Sequence, residues 1–233
     1  MEKYGGLLTS DKQLMPFSLL YLLIFFFILS FLLGVIQFGI VTLTLGKLGL
    51  TTGQAFLLLF GSLMGSAINI PLFTIRAEPV EHPERPAFNG LLRLPRRQFT
   101  GRTLVAINVG GAVIPVIFSL YLLVHSGLNI FEALMGVALV TIICYRLSRP
   151  IAGLGIGMPI FIAPLAAAVI ALIINTGQSP ALAYISGTLG VLIGADLMRL
   201  KDVRKLGTPL AAIGGAGTFD GIFITGIIAV LLT

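Results

Sequence analysis

The sequence is poor in cysteine, histidine and charge. It contains one cysteine, two histidines and no tryptophan among 233 residues. A single cysteine excludes an intramolecular disulfide framework, and the cysteine and histidines show no zinc-site spacing. Charged residues make up 10% of the chain, whereas a soluble domain carries about 25%. So little charge cannot cover a globule in water, which indicates an integral membrane protein. We expect neither a metal nor a cofactor.

Apolar residues dominate what remains. They account for 57% of the chain, with 28 glycines and 12 prolines but no Gly-X-Y period, which excludes a collagen-like chain. The net charge is +6, but the basic residues lie between apolar runs, where they report membrane topology rather than nucleic-acid binding. The first apolar run, from Leu14 to Leu45, is longer than the roughly 7–15 apolar residues of a signal sequence.

Seven apolar segments reach or approach the roughly 20 residues that a spanning helix needs. They are Phe17–Val41, Ala55–Ile75, Leu104–Val124, Ile130–Tyr145, Ile151–Ile174, Ala181–Met198 and Leu210–Leu232. This pattern predicts an all-α fold, a polytopic membrane helix bundle of about seven transmembrane helices. We expect residues 1–233 to form a single integral membrane domain.

Basic residues predict the orientation of the chain in the cell membrane. They cluster in the tail 1–16, in the loop 76–103 and in turns near 146–149 and 199–205, while Lys47 falls on the other side of a seven-span bundle. The positive-inside rule then places the N-terminus in the cytoplasm and the C-terminus outside. We expect the lipid bilayer to be a partner, with the basic 76–103 loop touching anionic headgroups.

The chain carries a weak internal similarity. Val109-Gly110-Gly111-Ala112 parallels Ile213-Gly214-Gly215-Ala216. In the seven-span arrangement, the second and third spans have the same orientation as the sixth and seventh. This predicts a parallel repeat of three helices, one linker helix and three helices, an arrangement known among transporters. Small residues are common in membrane helices, so chance similarity is the alternative.

Two aspartates lie within apolar segments. Asp196 lies near the cytoplasmic end of the sixth segment, and Asp220 lies about ten residues into the seventh. Burying a carboxylate in a bilayer costs about 2.5–3.5 kcal/mol, so two on consecutive helices indicate a functional pair. The glycines of Gly214–Gly217 can unwind the seventh span where it lines a cavity. A helix that restarts near Thr218 would bring Asp220 closer to Asp196.

Polar residues near the aspartates are candidates for ligand binding. Asn69 and Asn108 are expected in the cytoplasmic half of their membrane spans, where they can line one polar cavity together with the aspartates. Interhelical hydrogen bonding is the alternative that we favour for these two asparagines taken alone. The candidate residues are therefore Asp196 and Asp220 for catalysis, and Asn69, Asn108, Gly215, Gly217 and Thr218 for binding.

Five stretches together resemble an uncharacterised family of prokaryotic membrane proteins. They are Asn108-Val109-Gly110-Gly111-Ala112, Gly155-Ile156-Gly157-Met158-Pro159, Tyr184-Ile185-Ser186-Gly187-Thr188-Leu189-Gly190, Gly194-Ala195-Asp196-Leu197 and Gly214–Gly221. The resemblance covers most of the chain. It implies a polytopic membrane protein and does not imply an activity.

The aspartate pair also resembles the site of the Gly-x-Gly-Asp intramembrane aspartyl proteases, which are presenilin-like or prepilin-peptidase-like. Those proteases have one Asp on a helix and a second in a Gly-x-Gly-Asp turn. Here Gly215-Ala216-Gly217 is followed by Thr218 and Phe219 before Asp220, so the second motif is longer by two residues. The resemblance implies that Asp196 and Asp220 share a proton and cleave a peptide bond within the membrane.

Three functions fit these residues. The first is hydrolysis of a membrane-embedded peptide, in which one carboxylate activates water and the other acts as the acid. The second is proton- or cation-coupled transport of a small solute, since a carboxylate in a membrane also loads and releases protons. The third is a non-catalytic scaffold or lipid-binding protein, indicated by the basic 76–103 loop. We place hydrolysis first because both aspartates lie on adjacent segments beside the glycine run.

Overall fold

Helices predominate in the part of the chain that the structure describes. The computed structural model describes residues 16–77, 101–151, 155–215 and 221–233. Their α-helices are α1 (Pro16–Gly46), α2 (Thr52–Ser66), α3 (Ile114–His125), α4 (Ile130–Leu147), α5 (Ile162–Ile174), α6 (Ser179–Val191) and α7 (Gly221–Leu232). Their strands are β1 (Asn69–Arg76), β2 (Arg102–Asn108), β3 (Arg149–Ile151), β4 (Gly155–Gly157) and β5 (Leu210–Ile213). The chain divides into two compact units, residues 1–41 and residues 42–233.

The first unit is described from Pro16 onward and consists there of most of α1, whose last five residues belong to the second unit. This helix has 31 residues, which corresponds to a length of about 45 Å at 1.5 Å per residue. Proline is common at the start of a helix because the first N–H groups have no partner within it. Phe26 and Phe27 are exposed on α1, so the helix presents aromatic rings outward.

Two helices within residues 42–233 are long and apolar enough to cross a membrane. They are Ile130–Leu147, which is α4, and Ser179–Leu197, which is α6 together with the π-helical stretch Leu192–Leu197. These helices coincide with the predicted fourth and sixth spans, Ile130–Tyr145 and Ala181–Met198. A mainly helical fold with two membrane-length helices is therefore confirmed, whereas the bundle of about seven spans stays a prediction.

The predicted all-α fold is wrong where strands interrupt the apolar segments. The second, third, fifth and seventh predicted spans each contain a strand, and their helices α2, α3, α5 and α7 have only 12 to 15 residues. An apolar run gives the same hydropathy signal whether it folds as a helix or as a buried strand. β-Branched residues favour strands, and they recur in Asn69–Arg76 and Arg102–Asn108.

Three of the strands form one sheet in the order β1-β2-β5. β1 runs antiparallel to β2, with Asn69 opposite Asn108. β5 runs parallel to β2, with Leu104 opposite Leu210. Pro71 is tolerated because β1 is an edge strand, where a missing N–H need not break the ladder, and the register shifts beside it. β3 and β4 form a separate antiparallel hairpin.

α6 is the helix around which residues 42–233 pack. It contacts α3, α4, α5 and α7, and every residue from Leu182 to Thr188 is buried. Glycines let α4 approach closely: a Cβ on Gly190 would fall 2.6 Å from a side-chain carbon of Val140. A Cβ on Gly194 would likewise fall close to the backbone of α4. The C-terminal end of α6 is therefore fixed against its neighbour.

Strands β2 and β5 each lead into a pair of glycines that precedes a helix. β2 continues into a π-helical turn, Val109–Val113, which contains Gly110-Gly111 and leads into α3. β5 continues into Gly214-Gly215, and α7 follows. The two glycine pairs touch, because a Cβ on Gly111 would overlap the carbonyl group of Gly214. The two segments of similar sequence thus begin at the C-terminal ends of the neighbouring parallel strands β2 and β5.

Apolar side chains cover the outer faces of the helices. Phe131 on α4 is 77% exposed and Ile173 on α5 is 79% exposed. Other exposed apolar residues are Leu57, Leu120, Val124, Leu134, Ile142 and Leu165. Soluble monomers rarely expose contiguous apolar patches larger than a few hundred Å². Such an apolar surface is typical of helices that lipid hydrocarbon chains surround.

Lys47 closes the C-terminal end of α7. Its Nζ donates to the carbonyl oxygens of Val230 at 3.3 Å and Leu231 at 3.2 Å. The last carbonyl groups of a helix lack partners within the helix, and a lysine satisfies them favourably. The turn that follows α1 is therefore tied to the end of the chain.

Candidate functional site

Asp196 lies in the π-helical stretch that ends α6. The N–H of Met198 donates to the carbonyl oxygen of Ile193, five residues back, at 2.9 Å. Asp196 is half-buried, and its Oδ2 accepts a hydrogen bond from the N–H of Gly214 at 2.9 Å. Single π-helical turns within α-helices are frequent at functional sites. The carboxylate is held against the turn that follows β5.

The turn after β5 requires glycine. Gly214 has a φ of 81° and Gly215 a φ of 86°, a left-handed conformation that costs energy for any residue with a Cβ. The N–H of Gly215 donates to the carbonyl oxygen of Ala212 at 3.2 Å and closes the turn. The seventh predicted span therefore begins as a strand, turns at these glycines and is helical from Gly221.

Asp196 lines a cavity of about 280 Å³. This volume lies near the lower end of the range for small-molecule pockets, about 300–1,000 Å³. Residues of β5, including Ala212, form one part of the lining, and Gly155 and Ile156 of β4 form another. Gly215 also lines the cavity. The cavity thus joins a carboxylate, a glycine turn and two strands from separate sheets.

β5 is an edge strand, and no strand among the described residues pairs with its outer edge. On its inner edge, the N–H of Leu104 in β2 donates to the carbonyl oxygen of Pro209 at 3.0 Å. Because main-chain groups alternate in direction along a strand, those of Leu210 and Ala212 turn toward the outer edge. The N–H of Gly214 continues this alternation. The carboxylate that it binds therefore lies on the outer edge of β5.

Asn69 and Asn108 come together in a hydrogen-bond network apart from the cavity. Asn108 is fully buried. Its Nδ2 donates to the carbonyl oxygen of Ser66 at 2.7 Å and to Oδ1 of Asn69 at 3.0 Å. Its Oδ1 accepts from the N–H of Gly111 at 2.8 Å and caps the π-helical turn. Neither asparagine lines the cavity, so this network fixes the glycine turn that packs against Gly214.

Three of the predicted site residues lie outside the described residues. They are Gly217, Thr218 and Asp220, and residues 78–100 of the basic loop are outside them as well. In the sequence, Asp220 immediately precedes Gly221, the first residue of α7. The pairing of Asp196 with Asp220 stays a prediction.

Sequence reasoning missed the local role of Arg199, which it used only to predict topology. Its guanidinium donates to the carbonyl oxygens of Tyr145 at 2.7 Å and Ser148 at 2.9 Å, at the end of α4. It also lies over the Tyr145 ring, 4.4 Å from the centroid. A planar guanidinium with several donors suits such a cluster of acceptors. Because Arg199 follows Asp196 by three residues, these bonds anchor the end of the Asp196 segment to α4.

Asp202 completes this anchor. Its carboxylate contacts Lys205 at 3.0 Å and Arg199 at 3.1 Å. The hydrogen bond from Lys205 lowers the pKa of Asp202 below its usual value, and the Arg199 guanidinium adds to this effect. Favourable contacts with the ionised form are what lower a carboxyl pKa. Asp202 is therefore ionised at neutral pH and holds the short helix after Asp196 in place.

These features define a mainly helical protein with membrane-length apolar helices and a carboxylate-lined cavity at the edge of a small sheet. Within the described ranges, no three Asp, Glu, His or Cys side chains are placed to hold a metal ion. The chain belongs to the family described as protein of unknown function (DUF1614), whose family model matches residues 63–232. The match includes every strand of the sheet and the cavity. Neither the curated proteins nor the solved structures give a significant match.

Proposed function

We propose that this protein is an integral membrane hydrolase that cleaves a membrane-embedded peptide with the carboxylates of Asp196 and Asp220. The observation that supports the proposal is the position of Asp196, which lies in a cavity and on the outer edge of β5. A carboxylate in an apolar helix is costly to keep. Its Oδ2 accepts the N–H of Gly214, which holds the carboxylate at the wall of the cavity.

The proposed chemistry is that of a carboxylate pair. One carboxylate takes a proton from water, whose oxygen then forms a bond to the peptide carbonyl carbon. The protonated partner gives its proton to the carbonyl oxygen. The C–N bond then breaks as the amine nitrogen takes up the proton that the first carboxylate removed from water, and the carbonyl re-forms and returns a proton to the partner. Two adjacent carboxylates share one proton because both cannot ionise cheaply. The cavity beside Asp196 is where water and the peptide bond would meet.

The apolar outer surface supports a membrane location. Exposed residues such as Phe131 and Ile173 would face lipid. We propose a multi-pass protein of the cell membrane with its N-terminus in the cytoplasm and its C-terminus outside. The basic 76–103 loop would contact anionic headgroups on the cytoplasmic side.

A cleavage assay tests the proposed function. The full-length protein in lipid nanodiscs is incubated with fluorogenic apolar peptides, and cleaved products are identified by mass spectrometry. Asp196→Asn and Asp220→Asn should each lower the cleavage rate by at least about 100-fold, since each removes an acid–base group. Glu132→Gln is the matched control, because Glu132 lies in the first turn of α4 and does not line the cavity. Equal rates for all variants, or no cleavage by the natural sequence, would refute the hydrolase.

A proton-coupled carrier is the second candidate. The neighbouring β2 and β5 segments, each followed by a glycine pair, support it, since transporters are often built from repeats that meet at the substrate site. Reconstituted vesicles with an imposed pH gradient would then accumulate a small solute. Accumulation that Asp196→Asn abolishes, without peptide cleavage, would favour the carrier over the hydrolase.

A further inference from the structure

We infer that the outer edge of β5 binds the substrate as an added strand, so that the substrate is a polypeptide in an extended conformation. This inference rests on the proposed hydrolase and specifies how its substrate binds. The main-chain groups of Leu210 and Ala212 would pair with the peptide. Asp196 would then face a peptide bond of the paired segment.

The main-chain groups of β5 supply the first part of the argument. The outer edge carries the N–H and carbonyl of Leu210 and the N–H of Ala212, while the Ala212 carbonyl accepts from Gly215. No strand among the described residues pairs with this edge. An edge of this kind is a template for an added strand. In an apolar environment, a peptide that satisfies these groups binds favourably because each unpaired group is costly there.

The position of Asp196 supplies the second part. The next outward N–H after Ala212 belongs to Gly214, and Asp196 accepts its hydrogen bond at 2.9 Å. The carboxylate thus occupies the place that a carbonyl of an added strand would take. Two residues of a strand span about 6.6 Å, so a peptide paired with Ala212 continues directly toward Asp196. The strand edge would deliver a peptide bond to the carboxylate.

The opposite wall of the cavity supplies the third part. Ile156 of β4 lines the cavity and lies opposite Pro150 in the β3–β4 hairpin. β4 is an edge strand too, since its sheet has only β3 and β4 among the described residues. A segment in the cavity would therefore have β5 on one side and β4 on the other.

The decisive variant removes a single N–H from the outer edge. Ala212→Pro eliminates one outward N–H of β5 and keeps that of Leu210, and proline is tolerated on an edge strand. Ala212→Val is the matched control, because it adds side-chain carbon of similar size and keeps the N–H. The binding probe is a set of fluorescent apolar dodecapeptides with terminal lysines. Binding is measured by fluorescence anisotropy with full-length Asp196→Asn protein in nanodiscs, so that no probe is cleaved.

The expected result has two parts. Ala212→Pro should weaken peptide binding about tenfold relative to Ala212→Val, which corresponds to the loss of one hydrogen bond. N-methylation of successive peptide amides should weaken binding with a period of two, because alternate N–H groups of a strand face the same side. Absence of binding by every probe, equal affinities for the two variants, or losses without that period would overturn the inference.

In this design, failure of the proposed hydrolase can be distinguished from failure of the added-strand inference. If the natural sequence cleaves a peptide whose N-methyl scan lacks a period of two, hydrolysis stands and the added strand is wrong. If the Asp196→Asn protein binds peptides with that period while the natural sequence cleaves none, the added strand stands and hydrolysis is wrong.

Discussion

Gly111 and Gly214 are in direct backbone contact, and neither position has room for a Cβ. This contact joins the turn after β2 to the turn that binds Asp196. Because the atoms nearest each added Cβ are backbone atoms or the rigid Cβ of Ala112, an added methyl group cannot be accommodated by a change of rotamer. The candidate site therefore depends on two glycines from distant parts of the chain.

Gly111→Ala should destabilise the folded chain by about 1–3 kcal/mol, the usual cost of overpacking. Gly61→Ala is the matched control: Gly61 lies in α2 with nothing within 4 Å of an added Cβ, and a helical Gly→Ala change stabilises by up to about 1 kcal/mol. Thermal unfolding is followed with a thiol-reactive dye, since the single cysteine, Cys144, is fully buried. A Gly111→Ala melting temperature equal to that of Gly61→Ala would contradict the packing.

Asn108→Ala should also destabilise the fold. It leaves the buried N–H of Gly111 and the carbonyl of Ser66 without their partner, and an unsatisfied buried group costs about 1–3 kcal/mol. Asn69→Ala should cost less, because Asn69 is half-buried and makes one bond to Asn108. The same dye assay measures both, and an equal loss for the two variants would argue against the capping role of Asn108.

Arg199→Lys should weaken the junction between α4 and the Asp196 segment. A lysine keeps the charge but cannot reproduce the planar set of donors that binds Tyr145 and Ser148. Hydrogen bonds from a charged group are worth about 1.5–3 kcal/mol, so the melting temperature should fall clearly. Arg204→Lys, at an exposed position, should change stability by no more than about 0.5 kcal/mol. Similar effects of both changes would contradict the anchor.

Asp202 should make the protein sensitive to acid. Its pKa is lower in the folded chain than in the unfolded chain, chiefly because Lys205 donates to it. A group of this kind stabilises the fold above its unfolded pKa of about 3.9, and the contribution disappears as the pH falls through the folded pKa. Asp202→Asn should therefore be less stable than the natural sequence at pH 7 and equal to it in strong acid. A difference in stability that does not change with pH would contradict this linkage.

Seven spans would place Arg204 and Thr233 on opposite sides of the membrane. Arg204→Cys should then react with a membrane-impermeant maleimide only after cells are permeabilised, whereas Thr233→Cys should react in intact cells. Cys144 does not interfere, because it is buried. Reaction of both introduced cysteines from the same side would contradict the positive-inside topology.

The two membrane-length helices could be predicted closely from hydropathy. Ile130–Tyr145 and Ala181–Met198 were expected, and α4 and the extended α6 differ from them by two residues at most. The strands could not be predicted in this way, because their segments are equally apolar. What makes β5 a strand is its pairing with β2, which is distant in the sequence, and single-sequence patterns do not reveal such pairings.

The surroundings of Asp196 could be predicted in part, and its functional role stays a prediction. Asp196 was identified because a carboxylate in an apolar helix is expensive, and the glycine run identified the turn beside it. The role of Arg199 was missed because its acceptors are backbone carbonyls of α4, which leave no trace in the sequence. Sequence grouped the asparagines with the aspartate, whereas the structure assigns them to a separate network that supports the neighbouring turn.

The direction in which Asp196 points is set by the winding of α6. The hydrogen bond from Met198 to Ile193 encloses one residue more than an α-helical bond would. If this stretch rewound as an ordinary α-helix, the residues beyond it would rotate by up to about 100° around the axis. Such a rotation would withdraw the carboxylate from Gly214 while the strands stayed in place. The π-helical winding therefore keeps the acid group at Gly214.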